Sequence, residues 1–347
     1  MRAAFREAEQ VWGKTLPNPP VGAILVKAGR IIGKGGTLPA GQSHAEIVAL
    51  EKAGQAAAGA TLYVTLEPCC HQGRTPPCTR ALIAAGVTRV VAACSDPNPI
   101  VSGKGFSELR RAGIKVEVGV LGEHALEFYD GFFFFIRHGR PKIIVKIAQS
   151  PDGRINSKPG VETAITGNAS RRFAHELRTR SNAILIGGQT LRSDDPDLTP
   201  RLVNGQAPEA LILTRQKRPD SKYRLFASKR SARTVVIAPH KVLGLPPWVE
   251  QIRIGPHTNG NKALAQSLLK VFKQKGYHSV LLEGGRSVWT PFLNSGLCDV
   301  LYLLTGSKLQ PEGERWDSKL VSGWVKSLKF HRFTPFGPDV LAEYRRE

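Results

Sequence analysis

Hydrophobic spacing divides the chain into two successive α/β alternations. Residues 1–13 place Phe5, Ala8 and Val11 or Trp12 near one helical face. Leu16-Pro17-Asn18-Pro19-Pro20 forbids helix and reads as a loop. Apolar runs at 21–26 and 30–33 flank Lys27-Ala28-Gly29, the pattern of a hairpin. Ser43 can cap a helix that carries His44 and Glu46 and runs to about Ala57. A strand at 61–66, a helix from Cys78 to Ala85, a strand at 88–93, a helix at 104–112 and a strand at 114–118 complete the first alternation. Residues 122–137 read as one helix, and its run of four phenylalanines at 132–135 suits a buried packing segment between domains. His138-Gly139-Arg140-Pro141 breaks that helix, which sets one domain at 1–139 and a second at 140–347.

The second half starts over. Lys142 to Ala148 is dense in β-branched residues and ends in a turn at Ser150-Pro151-Asp152-Gly153-Arg154. Glu176-Leu177-Arg178 lies on a helix, and Ala183 to Gly187 is a strand entering a glycine turn. Residues 202–260 are loop-rich, with weak strands at 210–214 and 234–238. Val280-Leu281-Leu282 runs into Gly284-Gly285 at a helix start, where backbone N–H groups can approach an anion; a tight turn explains the pair equally well. No G-x-G-x-x-G is present, so a Rossmann fold is not indicated. Lys329 to Tyr344 reads as two closing strands around Pro335-Phe336-Gly337-Pro338.

Composition narrows the class. With 347 residues at 41% hydrophobic content, each half can bury a core of its own. No charged segment precedes a long apolar run, and the longest apolar patch, 132–136, is far too short to span a bilayer. A cytoplasmic chain with no membrane partner is therefore expected. Five cysteines, three of them within ten residues, suit a metal site in a reducing compartment better than a disulfide framework. The net charge of +21 fits nucleic acid, phosphorylated substrates or a basic surface. Its residues are scattered apart from short pairs such as Arg110-Arg111 and Arg171-Arg172, and no aromatic-rich RNA motif accompanies them, so no nucleic-acid partner is expected.

The chemistry concentrates in His44-Ala45-Glu46 and, one strand later, Glu67-Pro68-Cys69 through Cys78. This order is the ligand pattern of zinc nucleobase deaminases. His44, Cys69 and Cys78 would hold Zn2+, leaving one tetrahedral position for water, and Glu46 would shuttle its proton to the leaving ammonia. The usual spacing is Cys-x-x-Cys; here the cysteines are nine apart, with Cys70 and His71 as competing donors between them. Cys78 opens a helix, whose positive end would lower its thiol. Asn18 can hold a base edge, since its amide both donates and accepts.

The long insert Pro68-Cys69-Cys70-His71-Gln72-Gly73-Arg74-Thr75-Pro76-Pro77-Cys78 resembles the bifunctional riboflavin-biosynthesis deaminase/reductase family. So do Pro17-Asn18-Pro19-Pro20-Val21-Gly22-Ala23 and Asp96-Pro97-Asn98-Pro99, and the resemblance covers nearly the whole chain. It implies an α/β architecture: a cytidine-deaminase-like three-layer domain followed by a dihydrofolate-reductase-like domain. The first half would deaminate a phosphorylated pyrimidine, and the second would reduce its ribose to ribityl with NADPH. The resemblance further implies substrate contacts at His71, Arg74, Asp96 and Asn98. In the second half it implies NADPH contacts at Ala148, Thr190, Asp194 and around Gly285. Substrate contacts there would be Lys146, Arg178, Leu198, Arg201 and Glu283, with Arg178 and Arg201 as phosphate forks and Lys146 polarising the sugar carbonyl. Glu162 and Ala164 depart from the family, which often carries an aromatic and a small polar residue before Ile165-Thr166. A homo-oligomer is expected. Two other readings stay open: a transfer-RNA deaminase with a C-terminal binding domain, and a deaminase whose reductase half is inactive.

Overall fold

A hairpin opens the first sheet. Strands β1 (Gly22–Lys27) and β2 (Arg30–Gly36) join through Ala28 and Gly29, both at positive φ, which matches the twist of the strands it connects. The structure is a computed structural model that describes residues 1–157, 164–227, 232–255, 260–315 and 327–346. It divides into two units, Met1–Arg140 and Pro141–Glu347. Glu162 lies outside the described residues.

In the first unit, β3 (Thr61–Val64), β4 (Arg89–Ala92) and β5 (Lys115–Val118) follow the hairpin in a sheet of order β2-β1-β3-β4-β5. β1 is antiparallel to both its neighbours, and β3, β4 and β5 are mutually parallel. The helices are α1 (Arg2–Gln10), α2 (Ala45–Ala53), α3 (Cys78–Ala84) and α4 (Lys104–Arg111). Leu25, Leu62, Val64, Leu82, Val90, Phe106 and Leu109 form the main core. Two glycines in β2 decide where α2 sits. A Cβ on Gly33 would lie 2.2 Å from the Ala49 carbonyl oxygen, and one on Gly35 would lie 2.1 Å from that of Ala45. Only residues without a side chain let the helix rest directly on the strand.

The helix expected over 122–137 is two, α5 (Gly122–Phe128) and α6 (Asp130–His138), broken at Tyr129. The fully buried Tyr129 hydroxyl donates to the Pro20 carbonyl at 3.0 Å and lies 2.6 Å from Thr65 Oγ1. Phe132 and Phe133 join Phe5, Leu66, Ala93 and Tyr129 in a cluster belonging to the first unit's own core. No helix among the described residues is long and apolar enough to cross a membrane.

The second unit holds β6 (Lys142–Gln149), α7 (Asn168–Thr179), β7 (Ala183–Gly187), α8 (Gly188–Asp194), β8 (Glu209–Leu213), β9 (Thr234–Ala238) and β10 (Glu250–Arg253). They are followed by α9 (Gly260–Gln274), β11 (Ser279–Leu282), α10 (Arg286–Asn294), β12 (Val300–Thr305), β13 (Lys329–Phe336) and β14 (Asp339–Arg345). The sheet order is β10-β9-β8-β7-β11-β6-β12-β14-β13. It is parallel from β10 through β12, and the closing hairpin β13–β14 runs antiparallel. Its inner parallel strands β7, β9 and β11 are buried throughout because both faces are covered. The carboxylate of Asp339 accepts from Gly167 N–H at 2.7 Å and from Ser170 Oγ at 2.6 Å, which anchors the start of α7.

Candidate functional site

The first site forms where α2, the segment after β3, and α3 meet. His44 is itself the N-cap of α2, in extended backbone, so the helix begins one residue later than a Ser43 cap would place it. That conformation leaves the His44 ring outside the helix and puts Glu46 in its first turn. Nδ1 of His44 lies 3.5 Å from Cys69 Sγ and 3.4 Å from Cys78 Sγ. The three donor atoms all fall within 4.8 Å of one another. Thr75 Oγ1 sits 3.4 Å from the other ring nitrogen and so orients the imidazole. Two sulfurs and one imidazole nitrogen form a soft donor set that fits zinc. Cys70 is not among the clustered donors.

Electrostatics single out Cys69. Its hydrogen bond with Cys78, followed by that with His44, brings its thiol down to about 4 against the opposing effect of burial. The Cys78 thiol is raised, first by the same hydrogen bond and then by burial. The open N–H at the start of α3, that of Cys78, points to Cys69 Sγ at 3.3 Å. The helix terminus therefore acts on Cys69, not on Cys78 as its place in the sequence suggests. Glu46 is 3% exposed, and burial followed by the charge of Cys69 pushes its carboxyl up to about 7.

A cavity of about 360 Å³ opens in front of these groups. His44, Glu46 and Cys69 line it, and so do Asn18, His71, Arg74, Asp96 and Asn98, which come from three separate loops. His71 Nδ1 is buried with no hydrogen-bond partner among the described residues. Burial pushes the Asp96 carboxyl up to about 6, and Asp96 Oδ1 accepts the Asn98 N–H at 2.8 Å. Glu67, Phe132 and Ile136 also line the cavity and are not evident as site residues from spacing alone.

In the second unit Glu283, just past β11, is gripped by Arg178 of α7. Nη2 of Arg178 lies 2.9 Å from Oε2 and Nε lies 3.2 Å from Oε1, while Nη1 donates to the Thr199 carbonyl at 3.3 Å. The phosphate fork expected of Arg178 is thus occupied by a carboxylate. Burial alone would raise the Glu283 carboxyl, but Arg178, with Lys146 and His175, more than offsets it and holds the group at about 2. Burial and the Arg178 charge bring His175 down to about 4, and its Nδ1 accepts the Leu202 N–H at 3.3 Å. Leu198 is buried with φ +62, a left-handed backbone that a leucine adopts only under constraint. Arg201 is exposed; Lys146 and Ala148 project from the same face of β6.

Thr190 packs on the Gly284-Gly285 turn at the start of α10. Gly284 and Gly285 have positive φ, and a Cβ on Gly284 would lie 2.8 Å from Thr190 Oγ1. Asp194 closes α8 and accepts from Ser193 Oγ at 2.5 Å. Beside them lies a cavity of about 780 Å³ over the carboxyl ends of β7 and β8, the place where parallel sheets gather ligands. Gln189, Arg192, Thr214, Arg215 and Ser287 line it. Thr190, Asp194 and Gly285 stand next to this lining, not within it. The only sequence signal for Arg215 was its position just after a weak strand. The bare glycine turns and the adjoining basic cavity fit a phosphorylated dinucleotide.

A cluster of soft metal donors in one α/β unit and a coenzyme-sized cavity in another define a zinc deaminase joined to a reductase. Residues 1–94 match the family described as cytidine and deoxycytidylate deaminase zinc-binding region, and residues 141–342 match the RibD C-terminal domain. Riboflavin biosynthesis protein RibD of Aquifex aeolicus is 41% identical over 100% of this chain and 97% of its own length. That of Escherichia coli K12 is 36% identical, covering 98% and 96%. The solved diaminohydroxyphosphoribosylaminopyrimidine deaminase/5-amino-6-(5-phosphoribosylamino)uracil reductase of Thermotoga maritima superposes with TM-score 0.76 at 34% identity, over 100% of this chain and 97% of that one. The chain belongs to the RibD family of bifunctional riboflavin-biosynthesis enzymes. It is a hydrolytic deaminase and an oxidoreductase, and its cofactors are zinc and NADPH. The transfer-RNA reading is not favoured, because both halves match the family over their full span.

Proposed function

We propose that the first unit deaminates 2,5-diamino-6-(5-phosphoribosylamino)pyrimidin-4-one and that the second reduces the ribose of the product, 5-amino-6-(5-phosphoribosylamino)uracil, to ribityl. The observation that carries the first step is the single cavity shared by His44, Glu46, Cys69 and the five side chains Asn18, His71, Arg74, Asp96 and Asn98. His44, Cys69 and Cys78 would hold zinc, which when bound supplies the Lewis acidity that makes water a nucleophile at neutral pH. Glu46 would take a proton from water on its carboxylate and return it to the departing amine; its burial in the cavity wall pushes the carboxyl above the usual carboxylate range. Asn18, Asp96 and Asn98 offer donors and acceptors to the base and ribose, and Arg74 offers a fork to the phosphate. Cys70→Ser is expected to leave zinc content unchanged in metal analysis; loss of zinc would transfer a ligand role to Cys70.

In the second unit NADPH supplies the hydride. Lys146 presents its ammonium to the sugar carbonyl oxygen, where negative charge grows during transfer. Arg201 takes the substrate phosphate, and Arg178 keeps Glu283 in place as an acceptor for substrate. Ala148, Thr190, Asp194 and Gly285 contact the coenzyme, and Arg192 and Arg215 meet its phosphates in the adjoining cavity. Arg215→Ala should weaken NADPH binding about tenfold and NADH binding little, read by coenzyme fluorescence titration. Equal weakening of both would place Arg215 away from the distinguishing phosphate.

The deciding test is a mass-spectrometric product assay on the diaminopyrimidine substrate, with and without NADPH. Deaminated product alone without NADPH, and the reduced product with it, is the expected outcome. Deamination in both samples without reduction would favour the reading in which the second half is inactive. The same reading places the enzyme in the cytoplasm as a homo-oligomer and assigns part of its basic charge to phosphorylated substrate, not to nucleic acid.

A further inference from the structure

Glu67 is 4% exposed and lines the deaminase cavity two residues before Cys69. Among the described residues its carboxylate has no cationic partner. It accepts four backbone N–H groups instead. Oε2 takes those of Asp96 at 3.2 Å and Gly103 at 3.0 Å, and Oε1 takes those of Gly105 at 3.0 Å and Phe106 at 3.3 Å. Three of these donors are the open amides at the start of α4, whose own N-cap, Gly103, has no side chain to satisfy them. The fourth belongs to Asp96. The contact is tight on the backbone side too: a Cβ on Gly105 would lie 2.2 Å from the Pro68 carbonyl oxygen. From Asp96 the network continues along the loop. Asp96 Oδ1 accepts the Asn98 N–H at 2.8 Å, and Asn98 Oδ1 accepts the Ile100 N–H at 3.1 Å.

We propose that Glu67 is a positioning residue for deamination: its carboxylate ties the segment that carries Cys69 to the loop that carries Asp96 and Asn98. One buried side chain thereby sets the distance between the metal ligands and the groups that grip the pyrimidine. The proposal rests on the reading of Asp96 as a substrate contact. Glutamine at this position keeps the shape but turns one oxygen into an NH2 group. That group faces two N–H donors, so two of the four bonds are lost and one end of the loop is released. The chemistry at Glu46 is untouched, and the loss falls on substrate binding.

The experiment is a double-mutant cycle on the zinc-loaded full chain, using Glu67→Gln, Asp96→Asn and the pair. Zinc content and NADPH-dependent reduction serve as checks that both units fold. Glu67→Gln is expected to raise KM for deamination about tenfold and to change kcat less than about threefold. Added to Asp96→Asn it should raise KM by less than it does alone, because the loop it holds then carries only the Asn98 contact. A single-variant KM like the wild type, a kcat loss with KM unchanged, or full additivity would each overturn the proposal while leaving Asp96 as a substrate contact. No KM effect of Asp96→Asn alone would remove the underlying reading and the proposal with it. If Glu67→Gln gives no zinc-loaded protein, Glu67→Asp takes its place in the cycle. It keeps the charge but withdraws it by one methylene, and the same non-additivity is expected.

Discussion

Glu46→Gln will keep its zinc and lose deamination by about a thousandfold in kcat, while NADPH-dependent reduction by the same preparation is unchanged. The argument begins with its place in the fold. Gly33 and Gly35 let α2 lie on β2, and the His44 cap puts Glu46 in the first turn of that helix, 3% exposed at the wall of the cavity. It is not one of the three clustered donors, so an amide there leaves the metal ligands intact. Glutamine fills the same volume but cannot accept a proton from water and pass it on. Metal analysis and the two product assays read the outcome. Deamination within tenfold of the wild type would remove Glu46 from proton transfer, and zinc loss would show that it supports the ligand set.

Glu283→Gln is expected to abolish reduction and to destabilise the second unit by about 3 kcal/mol, because it leaves the Arg178 charge buried without its partner. The pair has side-chain exposures of 14% and 8%, so solvent screens it little. The same substitution changes the acid limb of stability. The folded Glu283 carboxyl is depressed to about 2 from its ordinary 4.5. A depressed acid contributes stability above its unfolded value and loses it as pH falls through the folded one. The wild-type protein should therefore lose on the order of 3 kcal/mol between about pH 4.5 and 2 through this one group. Glu283→Gln should lack that part of the slope. Chemical unfolding followed across this pH range checks it, with deamination at neutral pH showing that the first unit of the variant is intact. An unchanged acid limb would mean that Arg178 and Glu283 exchange with water freely, against their burial.

The periodicities make most of the elements legible. The hairpin at Lys27-Ala28-Gly29, the strand into Glu67-Pro68-Cys69 and the closing strands at the C-terminal end all stand close to where the apolar spacing puts them. Tyr129 is different. Its helix-compatible surroundings continue through 137, and the bonds of its hydroxyl to Pro20 and Thr65, distant in sequence, coincide with the break. The loop-rich stretch from 202 onward hides β10 because a four-residue strand with one apolar residue and no fully buried one carries little hydrophobic signal.

The candidate sites divide in the same way. His44, Cys69 and Cys78 were readable because metal chemistry demands particular residue types in a fixed order, and that demand survives in one dimension. Cys70 and His71 satisfy the same chemical demand and compete with them in the sequence. Folding brings the donor atoms of His44, Cys69 and Cys78 within 4.8 Å of one another and leaves Cys70 out of that cluster. Arg178 shows the converse: its residue type suits a phosphate, yet it spends its fork on Glu283, 105 positions away. Glu67 drew no notice in the sequence beyond its place in a motif, because the four amides it holds belong to a loop 29 to 39 residues further on. The sequence by itself determined which chemistries the chain can perform, since those depend on residue types and local order. The tertiary structure alone decided which candidate donors cluster, which side chains are wall and which are struts, since hydrogen bonds and burial act through space between residues that the chain separates.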